Sequence, residues 1–471
     1  MKWLILSCLL FIPFVSYKSA EHQRPVPYVD ERIELMNVVF RLAGIPDYQN
    51  CVVKPYAEAV DVYFAPYKEH ELVEFTRQLW NKYRTSHDAV ATYAVMLDIK
   101  DGKITFIKDA VPEFGPRWQG ETPAIFLEKL NGFYTESDFY RFFENNTSLY
   151  EETIDRYNKR YTQTDFKWFD NYFGKKPGDM DFKIVLNLLE RDWGYGPKVA
   201  FTNRGQETAY AIISISGSDS TGLPVFEDWS YNVVIHELIH SYANHLADKH
   251  AHLFNRINNL FYNYNADRLR QYGVGQSKLF LYETLVRACE IQYHKAYSDT
   301  LSWHKRLNSE RASGFLWLET LCSLLTDEYE HNRNKYPDMD SFMPRMAEVL
   351  NTLSPDELSK EFLSKAVKIT DSSIPNGEND LDPATGKLII SFSKAMYTGK
   401  ESFGLWPGKY GKESFPEITH TAWSQDAKQL VMDIRLEPGK KYSLSLAEYF
   451  FMGAGYEPLE NSFYLEFKTT E

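Results

Sequence analysis

Val233-Val234-Ile235-His236-Glu237-Leu238-Ile239-His240 sets three polar residues into an otherwise apolar run. On a helix, His236 and His240 stand one turn apart on the same face, because side chains at i and i+4 line up. Their ring nitrogens can then reach one ion at about 2.0–2.1 Å, the zinc–imidazole distance. Glu237 falls beside that ion, placed to take a proton from a water held there. The apolar neighbours predict a buried helix, and burying two imidazoles and a carboxylate is costly without a compensating partner. A purely structural zinc is disfavoured, since closed structural sites favour cysteine-rich tetrads.

Two histidines need a third protein ligand. The spacing that supplies a third histidine, HExxHxxGxxH, fails here: Ala243 and Leu246 occupy the glycine and histidine positions, and His245 comes one residue early. A glutamate on a later helix is the other common solution. Leu279 to Ile291 is apolar on most sides, yet Glu283, Arg287, Glu290 and His294 fall on one stripe. Glu283 is the expected ligand and Glu290 the alternative. Arg287, one turn beyond Glu283, either orients that carboxylate or grips a substrate carboxylate; a bare intrahelical pair would be worth only ~0.3–0.5 kcal/mol. Asn244, one turn beyond His240, is either a partner of that imidazole or simply the end of the helix. Tyr210, Tyr293, His294 and Tyr297 are candidates to stabilise an oxyanion or contact substrate.

The 471 residues are too many for one ordinary core and imply two or three domains. A net charge of −13, with no basic block, argues against nucleic acid as a partner. Lys2 followed by the apolar run Trp3 to Val15 reads as an export leader over residues 1–20. That run is too short to span a bilayer, and no later segment is apolar enough to do so. Cys8 lies in the middle of the run, where a lipid-attachment cysteine would normally end it, so release outside the cytoplasm is expected over lipid anchoring. Beyond the leader only Cys51, Cys289 and Cys322 remain, which predicts buried thiols and no disulfide framework.

Three blocks follow the leader. Residues 21–180 mix a helix over Glu31 to Ala43 with strand-like Tyr93 to Ile99 and Lys103 to Ile107, joined at Asp101-Gly102. Residues 181–366 begin with strands at Lys183 to Leu189, Lys198 to Thr202 and Thr208 to Ser216. The last of these is expected to edge a cleft. The motif helix follows, capped by Asp228 or Ser230, then a helix over 277–298 and a last one opened by Ser354-Pro355. Residues 367–471 alternate in short runs, including Lys387 to Ser393, Leu430 to Leu436, Lys441 to Leu446 and Phe463 to Thr469, which predicts an antiparallel β-sandwich.

Val234 to His240 together with Tyr282-Glu283-Thr284-Leu285-Val286-Arg287-Ala288 resembles the gluzincin clan of zinc peptidases. Residues 30–365 are also similar to an uncharacterised bacterial domain-of-unknown-function family, through Glu31 to Leu35, Arg41 to Gly44 and Asp88-Ala89. The resemblance implies an α+β chain with a thermolysin-like, two-lobed catalytic core behind an N-terminal α/β region. It places zinc on His236, His240 and Glu283 and the general base on Glu237. Many gluzincins carry Asn before the third ligand and an acid one turn after it, where this chain has Tyr282 and Arg287. Ile374 to Gly377 and Ile390 to Met396 resemble a bacterial Ig-like domain. The expectation is a secreted or periplasmic zinc peptidase acting on peptides or proteins, with oligomeric state and endo- or exo-mode open. The rival is a non-catalytic glycan- or protein-binding surface protein with a degenerate metal site. A self-processing protease gated by its N-terminal block is a further alternative.

Overall fold

The computed structural model describes residues 25–111, 114–161, 164–174, 180–191, 193–202, 207–226, 228–399, 404–448 and 450–471. The leader, Cys8 and the cap side chains of Asp228 and Ser230 lie outside what is described. The chain divides into two compact units between Leu238 and Ile239, a point inside the motif helix.

The first unit opens with helices. Glu31–Leu42 starts at Asp30, whose carboxylate accepts the Arg32 N–H at 2.9 Å. It buries Ile33, Leu35, Met36, Val38, Val39 and Phe40, and stops at Gly44 with φ +75 before Pro46. A strand is expected over Tyr93 to Ile99, but its first three residues finish the helix Asp88–Val95. Three alanines in that helix favour it locally, and Tyr93 packs against Trp118 and Phe126 from its last turn. The hairpin survives as β1 (Leu97–Lys100) and β2 (Lys103–Phe106), with Asp101 and Gly102 both at positive φ. The first block is thus largely helical, continuing through Thr122–Glu136, Phe139–Asn145, Thr147–Arg160 and Phe166–Phe173.

The sheet that leads to the motif comprises β3 (Met180–Asn187), β4 (Gly194–Tyr195), β5 (Lys198–Ala200) and β6 (Glu207–Ser214). β6 runs parallel to β3 in unbroken register and antiparallel to β4 and β5 on its other side. It is therefore an interior strand, not the edge expected for it. Its run Ala209 to Ser214 is buried throughout, as a strand covered on both faces requires. The short pair β7 (Gly217–Ser218) and β8 (Pro224–Val225) then leads to the motif helix, Asp228–Tyr264.

Two buried carboxyls tie this sheet to the helices. Glu34 accepts the Leu188 N–H at 3.0 Å and the Tyr56 hydroxyl at 2.9 Å. Glu190 accepts Asn187 Nδ2 at 2.6 Å and the Tyr195 hydroxyl at 2.9 Å, and Asn187 in turn accepts Asn37 Nδ2 at 2.7 Å. Loss of hydration outweighs these hydrogen bonds and pushes each carboxyl up to about 7.

The second unit continues with helices that include Ala266–Gln271, Ser277–Tyr297, Thr300–Ala312 and Pro355–Lys365. The last is capped as expected, with Ser354 accepting from the Glu357 N–H. Eight strands follow among the described residues: β9 (Ile369–Ser372), β10 (Glu378–Leu381), β11 (Lys387–Phe392), β12 (Leu405–Pro407), β13 (Glu417–Trp423), β14 (Gln429–Arg435), β15 (Lys441–Leu446) and β16 (Phe463–Thr469). They form two four-stranded sheets, ordered β10-β16-β15-β12 and β13-β14-β11-β9. Leu388, Ile390 and Phe392 of one sheet share a core with Leu444, Leu446, Leu465 and Phe467 of the other. The β10–β16 pair is parallel, so the sandwich is mixed where a purely antiparallel one is expected. Cys51, Cys289 and Cys322 are free and buried, and no helix among the described residues is long and apolar enough to cross a membrane.

The sign of the Glu190 effect is fixed by its raised pKa. The folded chain keeps the Glu190 proton up to about pH 7, whereas the unfolded chain releases it near 4.5. Below that window the carboxyl is neutral in both states; within it, folding carries a growing cost. Urea denaturation of Glu190→Gln against the parent is therefore expected to show the variant gaining relative stability as pH rises from 4.5 to 7, by roughly 2–3 kcal/mol. A difference that stays flat across that window contradicts the assignment.

Candidate metal centre

Along the motif helix Val234, Ile235, Leu238, Ile239, Tyr242 and Ala243 are buried. His236, Glu237 and His240 are only partly covered, so the polar stripe faces a partly open surface. The helix Ser277–Tyr297 buries Phe280, Leu281, Thr284, Leu285 and Val286, which leaves Glu283 at its less covered side, 12% exposed.

His236, His240 and Glu283 come together: one ligand atom from each lies within 4.8 Å of the others. His240 Nε2 and Glu283 Oε1 are 3.4 Å apart. Ligands about 2.1 Å from a tetrahedral zinc stand ~3.4 Å from each other, so this pair already has the separation that zinc requires. His240 Nδ1 lies 3.0 Å from Asn244 Oδ1. A proton on Nδ1, donated to that amide oxygen, makes Nε2 the acceptor nitrogen of the ring, the form that ligates a cation, and fixes the ring. Of the two readings for Asn244, the geometry gives partner of the imidazole. Two nitrogens and a carboxylate oxygen with no thiolate form a donor set that suits zinc.

Glu283 is held from behind. Arg287 Nη2 meets its Oε2 at 2.9 Å, and Arg287 Nη1 binds Glu310 Oε2. The guanidinium also lies over the Phe315 ring at 4.7 Å. Burial works against its charge, but Glu310, Glu283 and Glu290 prevail and raise its pKa. Arg287 thus stands between the Glu283 and Glu310 carboxylates, with one terminal nitrogen on each. Beyond it, Arg306 Nη2 binds Glu310 Oε1 at 3.0 Å and Glu290 Oε2 at 2.9 Å. Glu290, the alternative ligand, is fully buried in this ionic chain and stands outside the metal cluster.

The other candidates go elsewhere. Tyr293 is fully buried against Tyr297 and His294. His294 Nδ1 lies 3.0 Å from the Ser298 hydroxyl and its Nε2 3.8 Å from Glu290. Tyr210, on β6, sits beneath the Arg32 guanidinium at 5.8 Å. None of these contacts involves the cluster.

Two glycines, read from sequence only as turn residues, matter at the site. A Cβ on Gly196 would fall 2.5 Å from Glu237 Oε2 and 3.2 Å from the Glu237 carbonyl oxygen. One on Gly194 would fall 2.1 Å from Val233 Cγ1. The backbone of β4 and the turn after it therefore lies directly on the motif helix, with Glu237's carboxylate against it. The signal was the spacing in Trp193-Gly194-Tyr195-Gly196-Pro197, which places both glycines on one face of a strand.

Residues 120–349 match the family model described as Domain of unknown function (DUF4932). That span holds the motif helix, Glu283 and the ionic chain behind it. It begins after Glu31 to Gly44 and Asp88-Ala89, so it is narrower than the resemblance implied. No curated protein matches the chain. Among solved structures, "Crystal structure of the S-layer protein rSbsC(31-844)" is 12% identical over 50% of this chain and 33% of that one, at a TM-score of 0.17. "Crystal structure of the N-terminal part of the bacterial S-layer protein SbsC" is 13% identical over 51% and 58% at a TM-score of 0.18. The chain spans less than two thirds of either, and superpositions this poor carry nothing about fold or function.

Zinc titration of the purified, metal-stripped chain is expected to show one tight site. Glu283→Ala should weaken it by about 100-fold or more, whereas Glu290→Gln, which alters only the distant end of the ionic chain, should stay within about tenfold. The reverse order would move the third ligand to Glu290.

Proposed function

We propose that this chain is a zinc-dependent peptidase of gluzincin type, acting on peptides or proteins outside the cytoplasm. The observation that carries the reading is the convergence of His236, His240 and Glu283 within 4.8 Å, with Glu237 between the histidines. The export leader read from the sequence supports the compartment.

Bound there, zinc would supply Lewis-acid polarisation of a water and of the scissile carbonyl. Every other part falls to the chain. Asn244 sets the His240 tautomer, and Arg287 keeps Glu283 turned toward the histidines. Glu237 takes the proton of the attacking water on a carboxylate oxygen and returns it to the departing amine. Gly196 leaves room for that carboxylate, so its orientation depends on the close approach of the β4 backbone. The ionic chain through Arg287, Glu310, Arg306 and Glu290 stands where many gluzincins have an acid next to the third ligand. Here the group at that place is a guanidinium, which meets the Glu283 carboxylate with the opposite charge.

A diverse peptide library, read by mass spectrometry, tests the reading. Cleavage by the zinc-loaded chain is expected to fall about 10²–10⁴-fold in Glu237→Gln while zinc stays bound. Gly196→Ala should lower kcat in the same direction with zinc content unchanged, because its Cβ displaces the base. Cleavage that persists in Glu237→Gln overturns the mechanism.

A further inference from the structure

We propose that a groove beside the C-terminal sandwich, distinct from the metal centre, binds an uncharged oligosaccharide. The sheet order β12-β15-β16 makes Trp406, Ser445 and Tyr464 cross-strand partners in one row. Cross-strand partners share a face, so two aromatic rings flank a serine floor, about two strand spacings or ~9–10 Å apart at the backbone. Tyr272, at the end of the helix Ala266–Gln271, lines the same cavity of about 660 Å³. Trp406, Tyr464 and Tyr272 are 49%, 60% and 49% exposed, an unusual concentration of large aromatic faces left to solvent.

The polar groups of the groove choose the ligand. Arg268 is bound to Glu448, whose Oε2 also accepts the Ser462 N–H at 2.9 Å. Arg268 and Glu448 are thus committed to each other, and the second acid of the lining, Asp267, pairs with Arg270 on the same helix. Gln271, Asn461 and the Ser445 hydroxyl also line the cavity, and their side chains make no hydrogen bond among the described residues. Neutral donors and acceptors set between aromatic faces match a pyranose, whose C–H face stacks on a ring while its hydroxyls reach the edges. A lipid or apolar peptide would leave those polar groups unpaired. The cavity volume lies within the range of small-ligand sites and accommodates a short saccharide chain. Such a groove would hold the protein to a glycan surface, whatever the metal centre does.

Titration of the full chain with chitotriose, cellotriose and maltotriose, by calorimetry and tryptophan fluorescence, tests this directly. At least one trisaccharide is expected to bind, and Trp406→Ala and Tyr464→Ala are each expected to weaken it by at least about tenfold. Both residues are exposed, so folding should survive; Asn461→Ala provides a milder second variant that should also weaken binding. Tyr410→Ala removes an exposed aromatic outside the groove and should change nothing, as should Glu237→Gln. The proposal fails if none of the three binds up to about 10 mM, if binding is indifferent to Trp406→Ala, or if the groove takes an extended decapeptide and no saccharide.

Discussion

Glu283 lies between two groups, with Oε1 at 3.4 Å from His240 Nε2 and Oε2 at 2.9 Å from Arg287 Nη2. Behind it the ionic chain alternates through Arg287, Glu310, Arg306 and Glu290, which makes three carboxylates against two guanidiniums. Glu290 is fully buried in that chain and Glu310 nearly so. Carboxylates held out of water are costly unless cations meet them, which the two guanidiniums do here. The open end of the chain is the Glu283 oxygen that faces two imidazoles. The proposed metal would sit at that end, on a carboxylate whose other oxygen meets the Arg287 guanidinium.

The general base depends on a different constraint. Glu237 lies on the motif helix where a Cβ at residue 196, just after β4, would meet its carboxylate at 2.5 Å and its carbonyl oxygen at 3.2 Å. The sheet behind that contact is fixed by β6, which pairs in register with β3 on one side and β4 and β5 on the other. Glu34 and Glu190 anchor the end of β3 to the N-terminal helices through neutral-leaning carboxyls. Helix, sheet and base therefore form one mechanical sequence within the first unit, and a disturbance at the anchors would reach Glu237 through β4.

Much of this is legible in the sequence because it is local. The i, i+4 spacing of His236 and His240 needs nothing beyond helical geometry, and the stripe on the 277–297 helix marked Glu283 and Arg287 as residues requiring polar partners. The strands of the sandwich announced themselves by alternation, as in β11, whose inward residues Leu388, Ile390 and Phe392 recur at every second position. What escaped was set by distant partners. β6 carries an apolar run that suits an edge or an interior strand equally, and only its pairing on both sides decides. Tyr210 and Tyr293 were plausible near the site from sequence position, yet packing sends one to Arg32 and the other into the core. Gly194 and Gly196 looked like ordinary turn residues, because the helix they touch lies some 40 positions later in the chain.

X-ray absorption at the zinc edge of the loaded, full-length chain tests the central claim most directly. The account predicts a four-coordinate site with two imidazole nitrogens at about 2.0–2.1 Å and oxygen for the rest, one from Glu283 and one from solvent. A sulfur shell near 2.3 Å, or a spectrum unchanged by Glu283→Ala, would contradict it.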